Sequence, residues 1–120
     1  MSHKILIVED ETFIANLYKE EMERHDVQVT IATNGQEAVE WLGKEHFHLV
    51  LLDLIMPLMD GYGVLEYMRK HTHDVPAVVV TNLIQDMTTE KCHSLGAVEC
   101  IFKSDVDAED VWEKVKKYLR

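Results

Sequence analysis

The chain has 120 residues, with 12 Lys and Arg against 22 Asp and Glu, which gives a formal net charge of −10 when its seven histidines are neutral. Apolar residues make up 47% and charged residues 28%, a balance that excludes disordered and collagen-like chains and predicts one globular domain over residues 1–120. The chain has no basic stripe to neutralise phosphates, so we expect no direct nucleic-acid binding and partners that are proteins or cations.

The sequence also indicates the compartment. Its apolar runs are far shorter than the roughly 20 residues of a membrane helix, and the N-terminus lacks the apolar region of a signal peptide. The two cysteines, Cys92 and Cys100, have neither metal-ligand spacing nor a secretory context. We therefore expect reduced thiols in a cytoplasmic protein that does not bind membranes.

Five short apolar runs alternate with five segments of helical periodicity. The predicted strands cover residues 5–8, 27–31, 49–52, 77–80 and 98–102. Apolar residues at i, i+3 and i+4 spacing predict a helix after each strand, marked by Ile14 and Leu17, Ala38 and Leu42, Val64 and Met68, Ile84 and Met87, and Val111 and Val115. The last helix is predicted to run from Ala108 to Leu119.

The strand patterns predict the architecture. The second strand alternates apolar and polar residues and should lie at an edge, whereas residues 49–52 are apolar on both faces and should lie in the middle. Asn34 with Glu37, and Asp60, are expected to cap the second and third helices. Strands that alternate with helices predict an α/β fold, a parallel sheet covered on both faces. In such sheets, chemistry lies beyond the carboxyl ends of the strands.

Charged and hydroxyl side chains follow the predicted strands at that edge: Glu9, Asp10, Glu11, Asp53, Thr81 and Lys103. Each alone has an ordinary structural interpretation as a helix cap, a turn residue or a solvated lysine. Asp53, however, directly follows an apolar strand, where an ionised carboxylate needs compensation. Asp10 and Asp53 would repel one another unless a cation lay between them, and carboxylate oxygens suit Mg²⁺. With Lys103 and Thr81 added, the set predicts a phosphoryl-transfer site with Asp53 as nucleophile.

Two other chemistries compete for this layout. A flavodoxin-type flavin module needs a phosphate cradle after the first strand, where Glu9, Asp10 and Glu11 would repel a phosphate, so we reject it. A haloacid-dehalogenase-type aspartyl phosphatase needs a second Asp two residues after the nucleophile as general acid. That position is Ile55, so phosphate-ester turnover is disfavoured, whereas transfer from a better donor such as phosphohistidine stays open.

The nine residues from Asp53 to Gly61 read Asp-Leu-Ile-Met-Pro-Leu-Met-Asp-Gly, and an acidic pair follows the first strand. With Thr81 and Lys103, this combination resembles the receiver domain of two-component response regulators over the whole chain. The resemblance implies a flavodoxin-like (βα)5 fold with strand order 2-1-3-4-5.

The same resemblance implies a role for each site residue. Asp53 would accept a phosphoryl group from a histidine kinase or phosphotransfer protein. Asp10, Asp53 and the backbone carbonyl of Ile55 would bind Mg²⁺, with Glu9 assisting. Lys103 would pair with the phosphoryl oxygens, and Thr81 would move to hydrogen-bond one of them, which switches the partner-binding surface. The domain would not be an enzyme in the ordinary sense, although it could catalyse its own phosphorylation and dephosphorylation.

The chain departs from the family pattern in three places. Cys100 stands where most receivers have Tyr or Phe, Ser104 stands where Pro is usual, and Asn82 stands where a small residue is usual. A pseudo-receiver that binds proteins constitutively is the alternative function. The downstream partner is expected to be another protein or an output domain of a longer chain, and a phosphorylation-dependent dimer is a further expectation.

Overall fold

The computed structural model describes residues 3–83 and 88–119. Five parallel strands form one sheet, in the order β2-β1-β3-β4-β5. The strands are β1 (His3–Val8), β2 (Val27–Ala32), β3 (Leu49–Leu52), β4 (Ala77–Thr81) and β5 (Glu99–Phe102). The predicted order is confirmed, β2 lies at an edge, and all four residues of β3 are buried in the middle.

Helices cover both faces of this sheet. They are α1 (Thr12–Glu23), α2 (Gly35–Lys44), α3 (Gly61–His71), α4 (Thr88–Ser94) and α5 (Ala108–Val115). Because side chains of a strand alternate between faces, Ile5 and Ile7 of β1 join the core formed with α1 and α5. Leu6 and Val8 join the opposite core, formed with α2, α3 and α4. The two cores hold the carboxyl ends of the strands in a fixed arrangement.

Two predicted helix caps are present, one of them in altered form. Asn34 Oδ1 accepts a hydrogen bond of 2.8 Å from the amide of Glu37, but the Glu37 carboxylate accepts from the amide of Thr33 at 2.8 Å rather than from that of Asn34. Asp60 Oδ1 accepts from the amide of Gly63 at 3.0 Å and so caps α3. These caps fix the starts of α2 and α3 beside the carboxyl end of the sheet.

The α3 start approaches the end of β3 very closely at Gly61. A Cβ atom at Gly61 would lie 2.3 Å from the carbonyl oxygen of Asp53, so the position needs glycine. The amide of Gly61 donates to the carbonyl oxygen of Leu54 at 2.9 Å. The segment between β3 and α3, residues 53–60, is therefore held at both of its ends, and we call it the β3–α3 loop.

The structure differs from the prediction at the C-terminal end. The fifth helix ends at Val115 and continues as a 3₁₀ turn over Lys116–Tyr118, short of the predicted Leu119. The tighter turn accompanies a hydrogen bond of 2.7 Å that the Tyr118 hydroxyl donates to Glu99 in β5.

Two further observations concern the helices. Ile84 and Met87, which marked the fourth predicted helix, lie outside the described residues, and α4 is described from Thr88 onward. Across residues 3–83 and 88–119, every helix is too short or too polar to cross a membrane.

Candidate functional site

The sheet brings the predicted site residues together at the carboxyl ends of its strands. Val8 pairs with Leu52, so Glu9 and Asp53 come directly after paired residues, and the amide of Asp53 donates to the carbonyl of Val8 at 3.0 Å. Thr81 is the last residue of β4 and pairs with Phe102, which directly precedes Lys103. Parallel pairing with this register is the reason that four residues far apart in sequence meet.

Asp53 is buried, and both of its carboxylate oxygens accept hydrogen bonds. Oδ1 accepts from the amide of Leu54 at 2.7 Å and from the Thr81 hydroxyl at 2.8 Å, with a longer contact of 3.4 Å from the amide of Ile55. Oδ2 accepts from Lys103 Nζ at 2.9 Å. These donors offset the cost of burying the Asp53 carboxylate at the end of an apolar strand, as the sequence requires.

Lys103 bridges two acids. Its Nζ lies 2.5 Å from Glu9 Oε1 and 2.9 Å from Asp53 Oδ2, and the Lys103, Glu9 and Asp53 side chains are only 8%, 2% and 8% exposed. Burial by itself would lower the pKa of Lys103, but the hydrogen bonds to Glu9 and Asp53 outweigh it, so the pKa lies above its usual value. The ammonium group therefore keeps its charge throughout the physiological range.

The Glu9 carboxyl group is the most deeply placed acid of the site. Burial raises the pKa of Glu9 above its usual value, although Lys103 and the amide of Glu11 stabilise the ionised form. That amide donates to Glu9 Oε2 at 3.1 Å. The Glu11 side chain is exposed and makes no capping hydrogen bond to α1. Glu11 therefore contributes to the site through its backbone amide and not through its carboxylate.

Glu9, Asp10 and Asp53 form an acidic cluster whose ligand atoms lie within 4.8 Å of one another. Asp10 is exposed, whereas the other two are buried, so the cluster opens to solvent on the Asp10 side. Three carboxylates without nitrogen or sulfur donors are a ligand set suited to a hard cation such as Mg²⁺. Ile55 lies in the loop just after Asp53, with its side chain 59% exposed.

The response regulator receiver domain family matches the chain over residues 5–116. This chain belongs to that family. It is the receiver domain of a two-component response regulator, a signalling domain whose family binds Mg²⁺ at an acidic site of this kind.

Relatives support the assignment. The receiver is 38% identical over 119 residues to the probable transcriptional regulator ycf27 of Porphyridium aerugineum, covering 98% of this chain and 48% of that protein. It is 35% identical over 120 residues to the transcriptional regulatory protein SrrA of Staphylococcus aureus, covering 100% of this chain and 49% of that protein. The receiver thus spans about half the length of the curated relatives it matches.

Solved receiver structures match the fold. The CheY-like receiver domain from Methanospirillum hungatei superposes with a TM-score of 0.90 at 29% identity, covering 99% of this chain and 94% of that one. The response regulator TrrA of Thermotoga maritima, solved in complex with Mg²⁺-BeF, superposes with a TM-score of 0.85 at 32% identity, covering 98% of this chain and 99% of that one.

Cys100, at the aromatic position of the family pattern, packs against Cys92 of α4. Both thiols are free. Burial raises the pKa of Cys92 to about 12 and raises that of Cys100 as well. Because the thiolate is the reactive form, both cysteines of the receiver are weak nucleophiles at neutral pH.

Sequence reasoning missed one cluster, which lies at the amino ends of the strands, on the far side of the sheet from the candidate site. The His3 and His48 ring centroids lie 5.0 Å apart, and those of His46 and His48 lie 5.4 Å apart. His48 Nδ1 accepts a hydrogen bond of 2.9 Å from the amide of Lys4, so the neutral ring carries its proton on Nε2. His46 and His48 are two residues apart in sequence, and the pairing of β1 with β3 adds His3, which no local pattern indicates.

Proposed function

We propose that this receiver accepts a phosphoryl group on Asp53 from a histidine kinase or a phosphotransfer protein, with Mg²⁺ as cofactor. The observation that carries the proposal is the pair of donors on Asp53. Lys103 Nζ bonds one carboxylate oxygen at 2.9 Å, and the Thr81 hydroxyl bonds the other at 2.8 Å. An ammonium and a hydroxyl beside one carboxylate are the groups that stabilise the oxygens of a transferring phosphoryl group.

In the proposed reaction, an oxygen of Asp53 forms a bond to phosphorus while the bond from phosphorus to the donor nitrogen breaks. The donor imidazole leaves with the electron pair. Lys103 offsets the negative charge of the phosphoryl oxygens, and Thr81 donates to one of them. Both groups already lie beside Asp53, so during the transfer they would exchange hydrogen bonds to its carboxylate for hydrogen bonds to the phosphoryl oxygens.

Glu9, Asp10, Asp53 and the backbone carbonyl of Ile55 would hold the metal ion. When bound, Mg²⁺ supplies positive charge that offsets the carboxylates and the incoming phosphoryl oxygens. Asp10 is the exposed member of the cluster and would give the ion its access from solvent. Lys103 contributes by keeping Glu9 and Asp53 together in spite of their like charges.

We further propose that residues 1–120 form one receiver domain that acts in the cytoplasm and passes its signal to a protein partner or to an output domain of a longer chain. The relatives that carry this suggestion are named transcriptional regulators and are about twice as long as the chain. Direct nucleic-acid binding would then belong to the output domain, and phosphorylation-dependent dimerisation stays a prediction.

Intact-mass spectrometry after incubation with acetyl phosphate and Mg²⁺ tests the acceptor function. We expect one added phosphoryl group, lost in Asp53→Asn and in the presence of a chelator. Asp60→Asn, which alters a nearby aspartate that caps α3, is the matched control and should still be labelled. A wild-type protein that stays unlabelled would contradict the proposal and favour the pseudo-receiver alternative.

A further inference from the structure

The start of α2 meets the β3–α3 loop backbone to backbone, with no room for a side chain between them. Gly35 is buried and is the first residue of α2, and its amide donates to the carbonyl oxygen of Met59 at 3.0 Å. A Cβ atom at Gly35 would lie 2.1 Å from that oxygen and 2.7 Å from the carbonyl carbon. Both distances are far below van der Waals contact, so any larger residue at this position must displace backbone atoms.

The segment that ends at Gly35 also contacts the end of β1. This segment, residues 32–35, is called here the β2–α2 segment. The carbonyl of Ala32 accepts a hydrogen bond of 3.0 Å from the amide of Glu9. At one end the β2–α2 segment is therefore bonded to Glu9 in the acidic cluster, and at its other end it is bonded to Met59 in the loop that begins with Asp53.

Of the two elements that meet at Gly35, the loop is the one free to move. The Asn34 side chain caps α2 by accepting from the amide of Glu37 at 2.8 Å, and Ala38 anchors the helix in the core with no exposed surface. The outer side of the loop has no comparable packing, since the Ile55 side chain is 59% exposed. The contact with Met59 therefore sets where the loop lies.

We propose that Gly35 is a positioning residue for the metal ion: it lets α2 hold the β3–α3 loop at a fixed distance from the acids that follow β1. The inference rests on the proposed Mg²⁺ site, in which Asp53 and the carbonyl of Ile55 are the loop's ligands. Mg²⁺ requires near-ideal octahedral geometry at short distances, so a small displacement of these oxygens weakens binding. Gly35 acts through the backbone of Met59 and does not contact the ion.

The test measures the affinity for Mg²⁺ directly, by isothermal titration calorimetry on wild type and Gly35→Ala. We expect the Kd for Mg²⁺ to rise about tenfold in Gly35→Ala, the scale at which groups that orient metal ligands act. Labelling by acetyl phosphate at a Mg²⁺ concentration equal to the wild-type Kd should slow about fivefold, whereas the rate at saturating Mg²⁺ should stay within about threefold of wild type. A merely structural role would not produce this split.

Two other glycines supply matched controls. Gly43 lies in the same helix, and a Cβ atom there would meet only the Tyr67 hydroxyl, at 3.7 Å. Gly63 approaches Met59 itself, but a Cβ atom there would meet Cγ of the side chain at 2.7 Å, which can rotate away. We expect Gly43→Ala and Gly63→Ala to change the Kd for Mg²⁺ by less than about twofold.

Urea unfolding without Mg²⁺ shows whether Gly35→Ala is folded. Should it not fold, Asn34→Ala tests the same link, because it removes the cap that holds the start of α2. Its Kd for Mg²⁺ should rise about threefold, and Asn34→Ser, which keeps a capping oxygen, should restore it.

A wild-type Kd in folded Gly35→Ala would overturn the inference, as would a wild-type Kd in Asn34→Ala if Gly35→Ala does not fold. An equal loss of affinity in Gly43→Ala, or a labelling defect that persists at saturating Mg²⁺ with an unchanged Kd, would also overturn it. Wild-type protein that binds no Mg²⁺ would instead defeat the proposed function itself.

Discussion

The Thr81 hydroxyl donates a hydrogen bond of 2.8 Å to Asp53 Oδ1, across 28 positions of sequence. The same hydroxyl oxygen accepts a hydrogen bond of 3.1 Å from the amide of Leu83. Thr81 therefore already connects the acceptor carboxylate to the backbone after β4, before any phosphoryl group is present. Under the proposed function, phosphorylation of Asp53 would redirect this hydroxyl toward a phosphoryl oxygen, and we expect the environment of the Leu83 amide to change with it.

We expect the Leu83 amide resonance to shift when beryllofluoride binds wild-type protein, because the oxygen that accepts its hydrogen bond moves. In Thr81→Val, which fills the same buried space without a hydroxyl, this shift should be lost while beryllofluoride still binds. Thr81→Ser, which keeps the hydroxyl, should retain it. Amide-shift spectra of the three proteins measure this, and a Leu83 shift of wild-type size in Thr81→Val would contradict coupling through the hydroxyl.

Lys103 should stabilise the fold as well as the reaction, because it neutralises two buried acids. Lys103→Met leaves Glu9 and Asp53 without their shared cation, and we expect the free energy of unfolding to fall by about 3 kcal/mol. Adding Glu9→Gln removes one of the two charges and should recover part of the loss. Urea unfolding of the single and double variants measures both effects.

Lys116→Met is the control for this experiment. Lys116 pairs with Glu113 at 2.9 Å on the surface of the C-terminal segment, and removing an exposed pair of this kind should cost less than about 1 kcal/mol. A Lys103→Met variant as stable as Lys116→Met, or a double variant less stable than Lys103→Met alone, would show that charge neutralisation is not the role of Lys103.

Local patterns were sufficient to predict a parallel sheet with β2 at an edge and β3 in the middle, whereas the full strand order followed from the resemblance to receiver domains. The alternation in β2 placed it at an edge, and the unbroken apolar run of β3 placed it in the middle, because burial on one or two faces dictates those patterns. Site residues could be predicted because parallel strands end at a common edge. The amides of Leu54 and Leu83 could not, since backbone donors have no side-chain signature. The left-handed φ of Leu58 could not be predicted from the sequence either, because the surrounding loop imposes it.

The phosphoryl group on Asp53 should be long-lived. Ile55 cannot orient an attacking water by hydrogen bonding, and Asn82 is exposed and larger than the residue usual at its position. Since hydrolysis depends on a water positioned in line with the leaving carboxylate, we expect the lifetime to exceed that of fast chemotaxis-type receivers by at least about tenfold. Decay after donor removal measures it. A parent that decays within seconds, with rates unchanged in Ile55→Asn and Asn82→Ala, would refute the prediction.

His48 should make stability depend on pH. Burial, together with the nearby charges of His3, His46 and Lys4, lowers the pKa of His48. The unfolded chain, with a histidine pKa of about 6.5, then binds a proton more readily than the folded one. The stability gained from neutral His48 is present above about pH 6.5 and is lost as the pH falls through the lower folded value.

The variant His48→Asn isolates this effect, because its side-chain oxygen can accept from the Lys4 amide but does not titrate. Between pH 7 and 5, the free energy of unfolding should fall less steeply in His48→Asn than in wild type. Urea unfolding at a series of pH values in that interval supplies the two slopes. Parallel slopes would mean that His48 is not a source of the acid sensitivity.

The most direct measurement of the central claim identifies the residue that carries the phosphoryl group. After labelling with acetyl phosphate and Mg²⁺, borohydride reduces an aspartyl phosphate to homoserine, which stays at its position through proteolysis. Tandem mass spectrometry should find homoserine at position 53 in wild type and at no acidic position in Asp53→Asn. Homoserine at Asp10 or Asp60 instead, or its absence from a protein that intact mass shows to be phosphorylated, would contradict Asp53 as the acceptor.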